Sequence, residues 1–261
     1  MNIPPLVDKG PALTVDEVRR YSRHLIIPDV AMAGQQRLMN AKVLCVGAGG
    51  LGSPALMYLA AAGVGTLGIV EFDTVDESNL QRQIIHNELD IGIAKVESAK
   101  NKIKLLNSTT NFIAIKQEVS KDNLASIANE YDIIIDASDN FKTRFIINEI
   151  CHSLKKPLIF GAVKQFQGQT TIFKSFIDNN PCYACFNHNH DNAESEIPTI
   201  EKGILGAVAG AIGSIQAINT IKEILGIGES MAGKLLISNF LTNHSRIIKI
   251  SKNPLCKICN Q

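Results

Sequence analysis

Two Cys-x-x-Cys pairs, Cys182/Cys185 and Cys256/Cys259, bracket the C-terminal third of the chain and constrain its fold more than any other feature. Thiolates separated by two residues can both turn toward one tetrahedral ion. Two such pairs complete a closed four-sulfur site with no coordination position left for a substrate. The pattern predicts a structural Zn2+ ion held by Cys182, Cys185, Cys256 and Cys259. The remaining cysteines, Cys45 in an apolar strand and Cys151 in an apolar helix, read as buried thiols acting as small hydrophobes, so no disulfide framework is expected.

At 261 residues, with 45% hydrophobic residues and a balance of 26 basic to 25 acidic side chains, the chain reads as one soluble globular unit. That balance provides no electrostatic footprint for nucleic acid or anionic lipid. The N-terminus lacks a basic region followed by an apolar stretch, and the expected compartment is the cytoplasm. Residues 203–221 carry no charge and approach the length of a membrane span. Gln216 and Asn219 would be costly in lipid, however, and glycines 206, 210 and 213 permit close helix packing, which favours a buried core helix or one at a dimer interface.

Thr14 and Glu17 form a capping-box pattern opening a helix through TVDEVRRYSRHL, and a second short helix follows in AMAGQQRLMN. The run KVLCVG predicts a buried strand that turns at glycines into the helix SPALMYLAAAG, after which LGIVEF is the next strand. Helical and strand patterns then alternate through DIIIDA, FKTRFIINEICHSL and PLIFGAV, and KLLISNF and SRIIKIS predict a closing hairpin. The expected fold is α/β: a Rossmann-like, mostly parallel sheet with helices on both faces, plus a C-terminal hairpin and a four-cysteine zinc subdomain. Residues 1–40 would carry N-terminal helices, 41–175 the nucleotide-binding core, and 176–261 the zinc-clamped subdomain with a crossover loop at 187–202.

Residues 47–52 read G-x-G-x-x-G between a strand and a helix, where free backbone N–H groups and the helix dipole attract phosphate; Gly47, Gly49, Gly50 and Gly52 are the candidates. Glu71, at the end of the following strand, stands where a carboxylate accepts hydrogen bonds from ribose hydroxyls. The next polar stretch supplies Asp73, Ser78, Asn79, Arg82 and Gln83, and Lys95 opens a later helix. Asn79, the Arg82 fork and the Lys95 ammonium suit the oxygens of a triphosphate. Asp139 and Asn140 follow another buried strand. Asp139 is the candidate Mg2+ ligand, since Mg2+ favours one or two carboxylates plus substrate phosphates; the bland alternative is that Asp139 caps the following helix. Asp136 reads as structural.

GAGGLG, SNLQRQ, the lysine at 95, SDN and the two Cys-x-x-Cys pairs occur in order from Arg23 to Cys259 and resemble the E1-like adenylyltransferases of the MoeB/ThiF/HesA family. The resemblance implies activation of a small ubiquitin-like sulfur carrier with a GlyGly C-terminus, its terminal carboxylate attacking the α-phosphate of ATP and releasing pyrophosphate. The implied pathway is molybdopterin or thiamine biosynthesis. It also implies that Gly50 lies against the nucleotide, Glu71 binds ribose, Arg82 and Lys95 contact the triphosphate, and Asp139 brings in Mg2+. Arg23 matches an arginine that reaches the ATP of a neighbouring subunit, which implies a homodimer. Length, and the absence of a rhodanese-like extension, point to the bacterial single-domain type.

Two departures stand out. Position 71 is usually aspartate in the resembled family and is Glu71 here, one methylene longer. Many relatives carry a cysteine shortly before the glycine-rich helix, where this chain has Thr199, a far poorer nucleophile. The expectation is that the enzyme stops at the acyl-adenylate and leaves sulfur delivery to a separate donor protein. His188, His190 and Asp191 read as surface residues of the same loop, or as lining for the carrier's tail. Three other readings remain: an E1-like enzyme adenylating a tRNA base or a peptide terminus, an NAD-dependent oxidoreductase with structural zinc, and an inactive scaffold.

Overall fold

The computed structural model describes residues 3–177, 179–187 and 203–260. Its strands are β1 (Lys42–Val46), β2 (Thr66–Val70), β3 (Asn111–Ile115), β4 (Ile133–Asp136), β5 (Leu158–Lys164), β6 (Gln167–Phe173), β7 (Lys234–Asn239) and β8 (His244–Lys249). They form one sheet in the order β3-β2-β1-β4-β5-β6-β7-β8. Neighbours from β3 to β5 pair in parallel, and the pairs from β5 to β8 are antiparallel. The closing hairpin is therefore β7–β8, and it extends the main sheet at its far edge instead of standing apart from it.

Alternation along β1 sorts the core into two layers. Val43 and Cys45 face one layer together with Leu38, Leu56, Leu59, Val96, Ile103 and Ile212. Leu44 and Val46 face the other with Leu124, Phe145, Ile147, Tyr183 and all four paired cysteines. Accordingly α3 (Ala31–Asn40), α4 (Gly52–Ala62), α5 (Lys95–Leu106) and α9 (Gly206–Leu225) cover the first face. The second is covered by α6 (Lys121–Asn129), α7 (Phe141–Ser153) and the short α8 (Tyr183–Phe186). A strand buried on both faces reads as a continuous apolar run, which is what KVLCV and IIID are.

The N-terminal helix departs from its sequence reading. The capping box forms, with the Thr14 N–H donating to Glu17 Oε2 at 2.7 Å and the Glu17 N–H to Thr14 Oγ1 at 3.3 Å. The helix breaks at Tyr21, however, into α1 (Val15–Arg20) and α2 (Ser22–Leu25). The Tyr21 ring is buried, its hydroxyl accepts from Asn107 Nδ2 at 3.0 Å, and a Cβ at Gly63 would lie 2.5 Å from the ring. Anchoring that ring in the core outweighs the propensity to continue the helix.

Helix α9 is the uncharged segment that resembled a membrane span. No helix among the described residues is long and apolar enough to cross a membrane, and Gln216, Asn219, Thr220 and Glu223 on α9 are buried within the protein. Of its three glycines, two carry the packing: a Cβ at Gly206 would fall 2.2 Å from the Gln81 carbonyl, and one at Gly213 would fall 2.3 Å from the Leu51 carbonyl. Within the single chain, a Cβ at Gly210 meets nothing within 4 Å. Gly213→Val should therefore lower unfolding free energy by about 2 kcal/mol or more through overpacking. Gly210→Ala should leave it unchanged or raise it by about 0.5–1 kcal/mol through helix propensity. Urea denaturation of the two variants checks both.

Candidate active site and metal centre

The strand order reverses between β1 and β4, the position at which open α/β sheets leave a crevice beyond the strand ends. A cavity of about 810 Å³ opens there. Backbone geometry at the glycine loop creates it. Gly47 takes φ 102°, and a Cβ there would sit 2.8 Å from the Ala137 carbonyl; a Cβ at Gly52 would sit 2.1 Å from the Gly47 carbonyl. Only glycine permits both approaches. The turn leaves Gly49 and Gly50 on the cavity wall, with α4 starting directly behind them.

Twelve of the nominated residues line this one cavity: Gly47, Gly49, Gly50, Glu71, Asp73, Ser78, Asn79, Arg82, Gln83, Lys95, Asp139 and Asn140. Gly52 does not, and its part is the turn itself. Arg23 is exposed on α2 and lies away from the cavity of its own chain.

Several of these groups already have local partners. Glu71 Oε1 accepts from the Phe72 and Asp73 N–H groups at 2.8 and 3.1 Å, and Oε2 accepts from the Ala48 N–H at 3.2 Å. A carboxylate has about four acceptor directions, so Glu71 can fasten the glycine loop and still accept from a ligand. Lys95, with its side chain only 6% exposed, pairs with Asp73 at 3.0 Å. A buried ammonium needs such a partner, and its other donors remain for an anion. Arg82 Nη1 donates to the Ser78 carbonyl at 3.1 Å, leaving the rest of its fork. Gln83 is buried, and its Oε1 has no hydrogen-bond partner.

The capping assignment changes hands. Asn140 Oδ1 accepts the Thr143 N–H at 2.9 Å and is the N-cap of α7, so Asp139 is not the cap. Asn140 borders the cavity, but its side-chain oxygen is committed to the helix. Asp136 is buried, and its Oδ1 accepts from the Ser138 N–H at 3.0 Å and Oγ at 2.6 Å, as a structural residue would. Burial drives its pKa upward, with the Arg144 guanidinium acting against that shift.

Sequence reasoning missed Lys142 and Arg144 on the first turn of α7, and Phe72, Gln117 and Val119 beside the ends of β2 and β3; all line the cavity. Arg144 lies 5.6 and 5.9 Å from the ring centroids of Phe160 and Phe141, and its Nη2 donates to the Ser138 carbonyl at 3.0 Å. The signal was available: the rule that drew attention to Glu71, the carboxyl end of a strand, applies equally to β3 and to the helix after β4.

The four cysteine sulfurs lie within 4.8 Å of one another, with contacts of 3.9, 3.5 and 3.4 Å between Cys182 and Cys185, Cys182 and Cys256, and Cys185 and Cys259. Sulfurs about 2.3 Å from a tetrahedral Zn2+ stand about 3.8 Å apart. The cluster fits a zinc ion, and none of the four is in a disulfide. The buried Cys45 and Cys151 have thiol pKa values driven upward by burial, which keeps them protonated and unreactive. Thr199, His188, His190 and Asp191 lie outside the described residues.

His86 stabilises the glycine loop from behind. Its Nε2 is 3.2 Å from the Ala48 carbonyl and its Nδ1 is 2.7 Å from Ser98 Oγ, which also lies 2.7 Å from Asp90 Oδ2. A carbonyl can only accept, so Nε2 carries the ring proton. Burial, aided by the Lys95 charge, lowers the His86 pKa from 6.5 to about 4. The unfolded chain therefore takes up a proton near pH 6.5 that the folded protein refuses until about pH 4. The associated stability is complete above pH 6.5 and is lost as pH falls through that window. His86→Gln should flatten the pH dependence of Tm between pH 6.5 and 4, measured by thermal denaturation across that range.

The family model described as ThiF family matches residues 21–258. The chain is 42% identical over 258 residues to the probable adenylyltransferase/sulfurtransferase MoeZ of Mycobacterium tuberculosis, covering 97% of this chain and 65% of MoeZ. It is 42% identical over 250 residues to the adenylyltransferase and sulfurtransferase MOCS3 of Drosophila willistoni, covering 95% of this chain and 54% of that protein. The chain thus spans between about half and two thirds of the length of these relatives. Among solved structures, E. coli MccB with ATP superposes with a TM-score of 0.79 at 24% identity, over 92% of this chain and 74% of MccB. At that identity the likeness carries the fold. Because the family model runs through the glycine loop, the cavity and the first Cys-x-x-Cys pair and on to the second, ending one residue short of Cys259, and the relatives match nearly the whole chain, the protein belongs to the ThiF family.

Proposed function

We propose that the protein adenylates the C-terminal glycine of a ubiquitin-like sulfur carrier with ATP, releasing pyrophosphate. The observation that carries this reading is the gathering of the glycine loop, Glu71, Arg82, Lys95 and Asp139 around one cavity at the β1/β4 switch point. A dinucleotide-dependent oxidoreductase would leave Arg82, Lys95 and Asp139 without a shared task. MoeZ and MOCS3 carry the word adenylyltransferase in their names, which supports the same reaction here.

In this reading the N–H groups of the glycine loop and the α4 N-terminus hold phosphate, and Glu71 accepts from the ribose hydroxyls. Asn79, Arg82 and Lys95 neutralise the triphosphate, with Lys95 shared between Asp73 and a phosphoryl oxygen. Asp139 would hold Mg2+, which offsets charge as pyrophosphate departs. A carboxylate oxygen of the carrier forms a bond to the α-phosphorus, and the bond from that phosphorus to the β-phosphate bridging oxygen breaks. The products are an acyl-adenylate and pyrophosphate. Catalysis of this kind rests mainly on positioning and charge neutralisation. Zn2+ held by Cys182, Cys185, Cys256 and Cys259 is structural, and a separate protein delivers sulfur to the activated carbonyl.

Arg23 is too far from its own chain's cavity to line it, and the reading assigns it to the ATP of a second copy in a homodimer. The first test is pyrophosphate release with MgATP and a MoaD-like or a ThiS-like carrier, paired with intact-mass analysis. A mass gain of one AMP on one carrier identifies both reaction and pathway, and no release with either refutes the assignment. Asp139→Asn should lower turnover by at least about a hundredfold with ATP affinity largely retained; unchanged turnover removes Asp139 from the mechanism. Arg23→Ala and Asp139→Asn proteins, each inactive alone, should regain activity when mixed and allowed to exchange subunits, and no recovery would exclude a shared site.

A further inference from the structure

Arg144 is a cation of the cavity wall that the triphosphate contacts leave unused. It stands half-buried in the first turn of α7, with its guanidinium over the Phe160 and Phe141 rings. Nη2 donates to the Ser138 carbonyl at 3.0 Å, and Nε is buried without a hydrogen-bond partner. No ion pair among the described residues includes Arg144. Asp136, buried at the end of β4, feels the guanidinium charge, but no ion pair within 4.0 Å joins the two. A cation half withdrawn from water, held in direction and short of a paired anion, suits an anionic ligand in the cavity.

Its place in the fold says which anion. Lys95 opens α5, and Arg82 lies against α9, where a Cβ at Gly206 would fall 3.0 Å from the Arg82 Cα. Both helices cover the first face of the sheet. Arg144 stands on α7, which covers the second face. The triphosphate cations and Arg144 therefore occupy opposite walls of the cavity. In displacement at phosphorus the attacking and leaving oxygens lie roughly in line, on opposite sides of the reacting atom. With pyrophosphate drawn toward Arg82 and Lys95, the attacking carboxylate arrives from the α7 wall. A carboxylate is also the group that a guanidinium fork matches in shape and charge. We propose that Arg144 binds the C-terminal carboxylate of the acceptor protein and makes the site specific for a free acid terminus. The inference rests on the adenylation reading.

The test pairs two carrier termini with two proteins. The carrier is the MoaD-like or ThiS-like protein that supports pyrophosphate release with wild-type enzyme, ending either in its glycine acid or in a glycinamide. Binding to wild-type protein and to Arg144→Gln is measured calorimetrically with α,β-methylene ATP present, which prevents turnover. Wild-type protein should bind the acid about 10- to 100-fold more tightly than the amide. Arg144→Gln should bind the two equally, with its affinity for the nucleotide analogue unchanged. A preference for the acid that persists in Arg144→Gln would overturn the proposal, as would a variant that instead loses its affinity for the nucleotide. Wild-type protein that releases pyrophosphate with neither carrier would overturn the adenylation reading and this inference with it. If Arg144→Gln fails to fold, the Nε–H signal of Arg144 in 15N-labelled wild-type protein decides. It should shift on addition of the acid carrier and not of the amide, and equal responses would overturn the proposal.

Discussion

The structure depends on close backbone approach at the glycine loop. Gly47 lies against the Ala137 carbonyl, Gly52 against the Gly47 carbonyl, and Gly213 of α9 against the Leu51 carbonyl. Each contact excludes a Cβ, and together they join β1, the end of β4, α4 and α9 within a few ångströms. The Gly47 N–H still donates to the Val70 carbonyl at 3.0 Å, and the turn beyond it leaves Gly49 and Gly50 on the cavity wall. The same crowding gives α9 its place, since Gly206 rests on the Gln81 carbonyl beside Arg82. The helix is thereby committed to backing the glycine loop.

Charge is arranged around that loop by burial. Lys95 is nearly inaccessible and paired with Asp73, while the more exposed Arg82 keeps part of its fork unengaged. Behind the loop, His86 is held neutral by burial and keeps the Ala48 carbonyl in place. Glu71 fixes the same residue from the other side through the Ala48 N–H. The glycine turn is therefore held at both the N–H and the carbonyl of Ala48.

The second core layer carries the four cysteines, and α7 lies between them and the cavity. Asn140 caps that helix, Arg144 extends from its first turn, and Asn148 holds the Tyr183 N–H. Phe160, Phe173, Tyr183 and Phe186 stack along the same layer, with ring centroids 5.3 to 6.4 Å apart. The cysteine cluster is thus hydrogen-bonded, through the Tyr183 N–H, to the helix that forms one wall of the cavity.

The sequence by itself determined whatever depends on local periodicity and backbone chemistry. The buried strands KVLCV and IIID, the turn at residues 47–52, the Thr14 capping box and the sulfur chemistry of the Cys-x-x-Cys pairs were all legible, because each is specified within about ten residues. Much of the candidate site was legible for the same reason, since residues at the carboxyl ends of parallel strands must meet at the switch point. Only the tertiary structure decided that Tyr21 breaks the first helix by anchoring in the core, and that β7 and β8 continue the main sheet. It also decided that Asp73 is the partner of Lys95, and that Arg144 enters the cavity. Those outcomes turn on which buried donor finds which acceptor, and on which side chain occupies which volume, between residues far apart in the chain. No local pattern encodes that choice.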